Sequence, residues 1–325
     1  MRHRLFASIL LFTFLLGLVS CMKRVEPSDF YIGQVQPLQL LETRAPACIK
    51  MYDGTKGIAS NYYQAFKTNN GGLSWTLTHD IVGGYVGEPE YPQADTAYFM
   101  DDNDLYRSID GGATWNLAFT FYTGANISFY KGNCGYAYSK LVSSSPYYLL
   151  KTVNAGGSWF VVNYSPPSCY NIHFLNENVG FAESTSGYLR TTDGGLTWVN
   201  LDNAITSTFT TGHMSPNGIL FRSMNSGLVK LTRDFGTTWT TVFQGDFNIF
   251  CVTFTENGIC FLATEGVLLM TKNWGATWHT VLRDSGEDFG NHRFYYLLLK
   301  DDKTVLAAGH EFISYDDFFY KITIE

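Results

Sequence analysis

The chain has 325 residues, 45% hydrophobic and 16% aromatic, with 22 Lys and Arg against 29 Asp and Glu for a net charge of −7. A chain this acidic lacks the basic face that nucleic acid or an anionic lipid surface requires, so neither is expected as a partner. The aromatic content exceeds what loops need, so most rings are expected to pack in a core.

In chain order, the first element is an address. Arg2 and Arg4 precede an apolar run from Leu5 to Leu18 that ends in Leu18-Val19-Ser20-Cys21. The run is too short and wrongly flanked for a spanning helix, and residues 1–20 read as a signal peptide. The Leu-Val-Ser-Cys ending resembles a bacterial lipobox, which implies a lipidated Cys21 as the new N-terminus; ordinary signal cleavage nearby is the alternative. The expected location is the bacterial cell envelope, with the chain lipid-anchored and its folded part outside the cytoplasm. Loss of residues 1–20 leaves 20 basic against 29 acidic residues, a net charge of −9. Residues 21–45 would supply a tether and a candidate closing strand.

From residue 46 the chain repeats itself. Six octets run from Thr68 to Trp75, Ser108 to Trp115, Thr152 to Trp159, Thr191 to Trp198, Thr232 to Trp239 and Thr271 to Trp278, and successive tryptophans lie 40, 44, 39, 41 and 39 residues apart. Each has Ser or Thr first, then Asp or Asn two residues on (Asn70, Asp110, Asn154, Asp193, Asp234, Asn273), then Gly, then Ser/Thr-Trp. An Asx side chain can take the backbone N–H groups of its own turn, and Gly accepts positive φ, so each octet predicts a hairpin. The indoles are expected to wedge between sheets. Upstream, Phe174 to Gly180 and Phe129 to Gly135 have the same spacing, and Gly57 and Gly180 each lie eleven residues before their octet. The unit is therefore two strands, a hairpin through the octet, and a fourth strand. Units of about 40 residues with four strands are β-propeller blades. Ser314-Tyr315-Asp316 keeps two of the octet positions and reads as a worn seventh copy. The 280 residues from 46 to 325 then make seven units of 40. The expected fold is all-β, a seven-bladed propeller of four-stranded antiparallel blades. Closure by Lys321–Glu325 alone and closure with a strand from Asp29 to Leu41 both fit the sequence.

These octets resemble the Asp-box, or bacterial neuraminidase repeat. The longer stretch from Phe174 to Trp198 is similar to the photosystem II stability/assembly factor family. The resemblance implies a propeller whose box hairpins lie on the face opposite the ligand pocket. It is shared by sialidases, xyloglucanases, sorting receptors and assembly factors, so it implies no single activity.

The chemistry is less legible. A sialidase relative would carry an Arg-Ile-Pro segment and three arginines gripping a carboxylate. No Arg-Ile-Pro occurs, and the mature arginines number eight, of which Arg107 and Arg190 adjoin boxes and Arg233 lies within one. A glycoside hydrolase needs two opposed carboxylates, and among Glu88, Glu90, Asp101, Asp102, Asp104, Asp284, Glu287 and Asp288 no motif selects a pair. Histidines are scattered and no cysteine pair has zinc spacing, so no metal and no cofactor are expected. Cys251 and Cys260 flank a turn and leave a disulfide open. Lys67, Arg107, Lys151 and Arg190 hold one position in four consecutive blades, a candidate basic arc or simply solvated strand ends. The loops on the face away from the boxes carry Tyr62, Tyr63, Tyr138, Tyr147, Tyr148 and Tyr170, and the loop from Ala137 to Leu150 is six residues longer than its equivalents. Exposed tyrosines suit peptide or sugar recognition. The expected function is non-catalytic binding of an envelope protein or a glycan by a monomer, with a glycan-cleaving enzyme of the Asp-box superfamily as the alternative.

Overall fold

The computed structural model describes residues 29–324 apart from residue 62, 81–86, 185–186, 202–208, 211–213, 225–226, 265, 284 and 312. The signal segment, Cys21 and Tyr62 lie outside the described residues. All described elements are strands. They form five four-stranded sheets and one eight-stranded sheet, and the latter divides into two more four-stranded units. The protein is a β-propeller. Blade 1 is Cys48–Met51, Gly57–Ser60, Gln64–Thr68 and Thr76–Asp80, from the inner strand outward. Blades 2 to 6 repeat that order over residues 90–120, 126–163, 169–200, 209–244 and 249–283. Blade 7 takes three strands from the C-terminus, His292–Asp301, Thr304–Glu311 and Asp317–Ile324, and its outer strand, Asp29–Pro37, from the N-terminus.

That N-terminal strand closes the ring in two ways. Gly33 to Pro37 pair antiparallel with Ile324 to Tyr320 of blade 7, while Asp29 to Gly33 pair parallel with His279 to Arg283 of blade 6. Of the two closures compatible with the sequence, the one using both ends of the chain is observed. The outer strand of blade 7 thus comes from before residue 46. Val281, Ile322 and Ile324 are buried beneath it, with Tyr31 and Val35 packed against them. Gly33 is required at the crossing, because a Cβ there would stand 2.9 Å from Ile322 Cγ2.

The octets form hairpins between third and outer strands, for a local reason. In all six, the first Ser/Thr hydroxyl donates to the Asp or Asn side chain and accepts the N–H of the fifth-position Gly, as Thr191 does with Asp193 at 2.8 Å and Gly195 at 2.8 Å. The Asx oxygen then takes the N–H of the seventh residue, as Asp193 does from Thr197 at 2.9 Å. In the Asp boxes the seventh hydroxyl donates to the carboxylate (Thr114 to Asp110, 2.6 Å). In the Asn boxes the amide donates to that hydroxyl instead (Asn70 to Ser74, 2.8 Å). The same loop closes with its polarity reversed, which is why Asn replaces Asp freely here.

Each box also ties to its own blade and to the one before. The fourth-position N–H donates to the turn between the first two strands, from Gly71 to Thr55, Gly194 to Asn178 and Trp274 to Gly258. That position has positive φ even where it is Phe235 or Trp274. The following Gly meets the preceding blade; a Cβ at Gly195 would lie 2.1 Å from Leu149. Tyr98 stacks on Phe129 and Tyr136 on Phe174, both at 3.7 Å, from one blade to the next. Rings thus do pack between blades, each pair worth about 0.5–1.5 kcal/mol beyond its buried area. Trp278 is fully buried and donates to Val242 of the preceding blade.

The seventh box is a correction. Ser314 and Asp316 lie in the turn between the second and third strands of blade 7, on the opposite face from the boxes. Ser314 and Asp316 are exposed, whereas the first residue of each of the six boxes is at most 2% exposed. Blade 7 has strands of ten, eight and eight residues, longer than its neighbours', so the fragment falls at a turn instead of after the third strand. The third strand ends at Ile324, where a box would have to begin. The five cysteines in the described region are free thiols, and Cys251 pairs in register with Ala263, not Cys260.

Two outcomes are expected. Deleting residues 29–37 leaves blades 6 and 7 with open edges, so thermal unfolding becomes broad and moves to lower temperature; an unchanged sharp transition would contradict the closure. The second concerns acid. Bonds from Thr114 hold Asp110 down to about 2, bonds from Thr197 do the same for Asp193, and Asp234 is lowered by the N–H of Thr238. A depressed carboxylate stabilises the fold above its ordinary value of 3.8 and loses that contribution as pH falls toward its folded value. Replacing Asp110, Asp193 and Asp234 with Asn therefore flattens the loss of stability between about pH 4 and pH 2, measured by denaturant titration at each pH.

Candidate functional site

The two faces of the ring are set by chain direction. Boxes and the turns between first and second strands share one face. The loops between second and third strands, and those joining blades, share the other, where the candidate tyrosines lie. Tyr138 ends the second strand of blade 3, Tyr147 comes from the long loop after it, and Tyr170 lies on the inner strand of blade 4. Tyr138 and Tyr147 stack at 4.8 Å and 7°. Together with Tyr170, Asn126, Ser168 and Cys169 they line a cavity of about 390 Å³ between blades 3 and 4. Tyr138 is buried, while Tyr147 and Tyr170 are exposed at the mouth.

The cleft is braced from both sides. Asn126 accepts the N–H of Ile172 at 2.9 Å and donates to the carbonyl of Tyr170 at 3.1 Å, fixing the blade 4 strand against blade 3. The ammonium of Lys140 lies 5.2 Å over the Tyr147 ring, a cation–π contact that orders the long loop. Burial pushes the Cys169 thiol up to about 12, so it stays protonated and is a poor nucleophile. The lining residues include no carboxylate.

The remaining candidates are elsewhere. Tyr148 turns away and meets Tyr164 edge-on at 5.6 Å. Tyr63 is exposed on blade 1 beneath the Arg44 guanidinium, 4.9 Å from its ring. In the basic arc, Lys67 donates to the carbonyl of Asp110 and Arg190 to that of Phe235, each in the box of the next blade. Lys151 lies over Tyr136 at 5.4 Å. Arg107 is partly buried on blade 2 beside Tyr98. Lys67 and Arg190 thus act as struts between blades, and Lys300 adds another by reaching Gly71 across the ring closure.

A second cavity, of about 530 Å³, lies in the central channel. Its residues were not singled out as a group by the sequence, because inner strands and adjoining loops of separate blades supply them. They include Glu88, His173, Thr253, Glu256, Tyr295 and Tyr296. Beside it, Lys50 of blade 1 lies 4.0 Å from Glu90 of blade 2. Burial works to lower the Lys50 pKa, but Glu90 and Glu88 outweigh it and hold the ammonium raised. Cys48 is held well above the ordinary thiol range, chiefly by burial, and Tyr296 donates to the carbonyl of Ile49. Glu88 and Glu90 are two residues apart on one segment and share one ammonium, so they do not oppose each other across a bound sugar. Glu256 sits in a turn on the box face, where Asn217 donates to it at 2.5 Å.

No family model matches the chain, and no curated protein matches it. Solved structures do. One described as YCF48 bound to D1 peptide aligns with a TM-score of 0.69 at 14% identity, covering 93% of this chain and 99% of that one. YCF48 from Cyanidioschyzon merolae aligns at 0.66 and 13% identity, over 89% and 98%. An ancestral GH74 enzyme aligns at 0.56 and 17% identity, over 91% of this chain and 47% of that chain. At these identities the likeness shows the fold, a β-propeller.

The cleft separates structural from exposed tyrosines in a measurable way. Tyr138→Ala opens a cavity under the stack and is expected to cost about 3–5 kcal/mol in urea unfolding. Tyr147→Ala removes an exposed ring and is expected to cost less than about 1 kcal/mol. Equal losses would show that the loop is part of the core.

Proposed function

We propose that this chain is an exported, lipid-anchored binding scaffold whose cleft between blades 3 and 4 captures a segment of an envelope protein without cleaving it. The observation that carries the reading is the pair of exposed rings, Tyr147 and Tyr170, at the mouth of a braced cavity. Tyrosine supplies large contact area with little rotamer entropy to lose, and its hydroxyl can bond a peptide group at the rim. The strands beneath are held by neighbouring blades, so little ordering is needed on binding. The absence of a carboxylate from the lining favours holding over hydrolysis. A propeller of this topology bound to a peptide, as in the YCF48 structure, supports a protein segment as the occupant. Lys140 beside the cleft adds a preference for an acidic residue in that segment.

The test is a binding screen of the full mature chain. Crosslinked envelope proteins are recovered by pull-down while the same protein is applied to a glycan array. A purified partner is expected to lose roughly 30-fold in Kd with Tyr147→Ala, the size of an interface hot spot. Binding to glycans that Tyr147→Ala abolishes, with no protein partner, would replace this reading, and turnover of such a glycan would make the chain an enzyme.

A further inference from the structure

We propose that the box face of blades 1 to 4 rests on a lipid bilayer, so that the tyrosine cleft points away from the membrane. Where the N-terminal strand begins is the first observation. Asp29 pairs with His279, the residue immediately after the blade 6 box, and Tyr31 packs on His279 at 4.7 Å with Lys272 of that box over its ring at 4.3 Å. The chain therefore enters the ring from the box face. Asp29 lies eight positions after Cys21, a span that reaches no more than about 30 Å fully extended. A lipid on Cys21 would hold the box face within that distance of the bilayer.

A second observation is independent of the anchor. The box tips of blades 1 to 4 each present one large apolar side chain to solvent: Leu73, Ile109, Val153 and Leu196, between 43% and 63% exposed. Phe160 and Val199, on the outer strands just beyond the boxes of blades 3 and 4, extend the strip and are also exposed. The equivalent tip positions of blades 5 and 6 are Arg233 with Thr237 and Lys272 with Ala276. Exposed apolar residues in one arc, on consecutive repeats, mark an interaction surface. The arc lies across the ring from the point where the N-terminal strand enters, so tether and arc contact one plane at opposite sides. The cationic tips stand on the tether's side, where lipid headgroups would meet them.

A bilayer fits this pattern better than a second copy. The strip and the tether's entry lie at opposite sides of the same face, so both reach one plane, and basic tips stand on the tether's side, as on interfacial surfaces. The net charge of −9 without residues 1–20 gives no long-range attraction to an anionic surface, so the apolar tips carry the contact and it is insensitive to salt. The proposal rests on the anchored reading above only for how the chain reaches the membrane, and its test separates the two.

The full chain is reconstituted in phosphatidylcholine vesicles. In parallel, residues 22–325, which include every described strand, are held on the same vesicles by an N-terminal histidine tag and a chelating lipid. A genetically encoded environment-sensitive fluorophore replaces Ile109, Val153 or, on the other face, Tyr147. The expected result is blue-shifted emission, quenched by nitroxide lipids, at 109 and 153 but not at 147. Replacing Leu73, Ile109, Val153 and Leu196 with Ser should lower vesicle partition of the untagged 22–325 chain on the order of tenfold. Probes at 109 and 153 as wet as the probe at 147 would overturn the proposal. So would a concentration-dependent dimer without vesicles that the Ser variant abolishes. If the tagged chain shows the shift while the full chain fails to bind vesicles, the face assignment stands and the lipid anchor does not.

Discussion

No blade of this protein can cover its own apolar faces. A blade is one four-stranded sheet, and its buried residues become buried only when the next sheet lies on it. Tyr98 needs Phe129, Leu149 needs the space beside Gly195, and Val242 needs Trp278. This dependence runs around the whole ring, so stability is shared among neighbour interfaces and the last interface decides whether the first is kept. Closure by the Asp29–Pro37 strand is where the requirement is hardest to meet. It must satisfy the edge of blade 7 and the edge of blade 6 with one strand, and it does so by pairing with each in turn around Gly33.

The same constraint distributes roles between the two faces. The box face is a ring of short, self-bonded turns in which nearly every polar group is committed to its own loop or to the blade beside it. Lys67 and Arg190 are spent in this way, which removes them from a ligand site. The opposite face carries the loops that vary in length. There the longest loop stacks Tyr147 on Tyr138 and leaves a cavity against blade 4. The ring thus has one face of fixed, repeated turns and one face of variable loops.

What could be read from the sequence follows from how local each feature is. A box is eight residues closing on themselves, so Thr191, Asp193, Gly195 and Trp198 announce it without any knowledge of neighbours. The Phe174 to Gly180 spacing was legible for a similar reason: the ring lies on the glycine across one turn, where a Cβ would come within 2.5 Å of it. Ser314 and Asp316 misled because two polar residues at the right offset are a weak signal, and only strand length shows that they fall at the wrong end of the blade. The strand beginning at Asp29 was one of two closures open in the sequence, and nothing local chose between them, since its partners lie some 250 to 290 residues away. The cleft was half visible: Tyr138, Tyr147 and Tyr170 converge, but nothing in the sequence sent Tyr148 to Tyr164 or Tyr63 to Arg44. The channel group around Lys50 was hidden because its members come from three blades, with Lys50 in blade 1, Glu88 and Glu90 at blade 2 and Tyr296 in blade 7.

Ring closure by the N-terminal strand sets both the stability of the propeller and the face on which that strand begins. Native-state hydrogen exchange on the full chain measures it directly. If the strand closes the ring, the hydrogen-bonded amides between Asp29 and Gln36 exchange as slowly as those of the inner strands of the blades, through global unfolding alone. Fast exchange across that strand, with the blades still protected, would contradict the account.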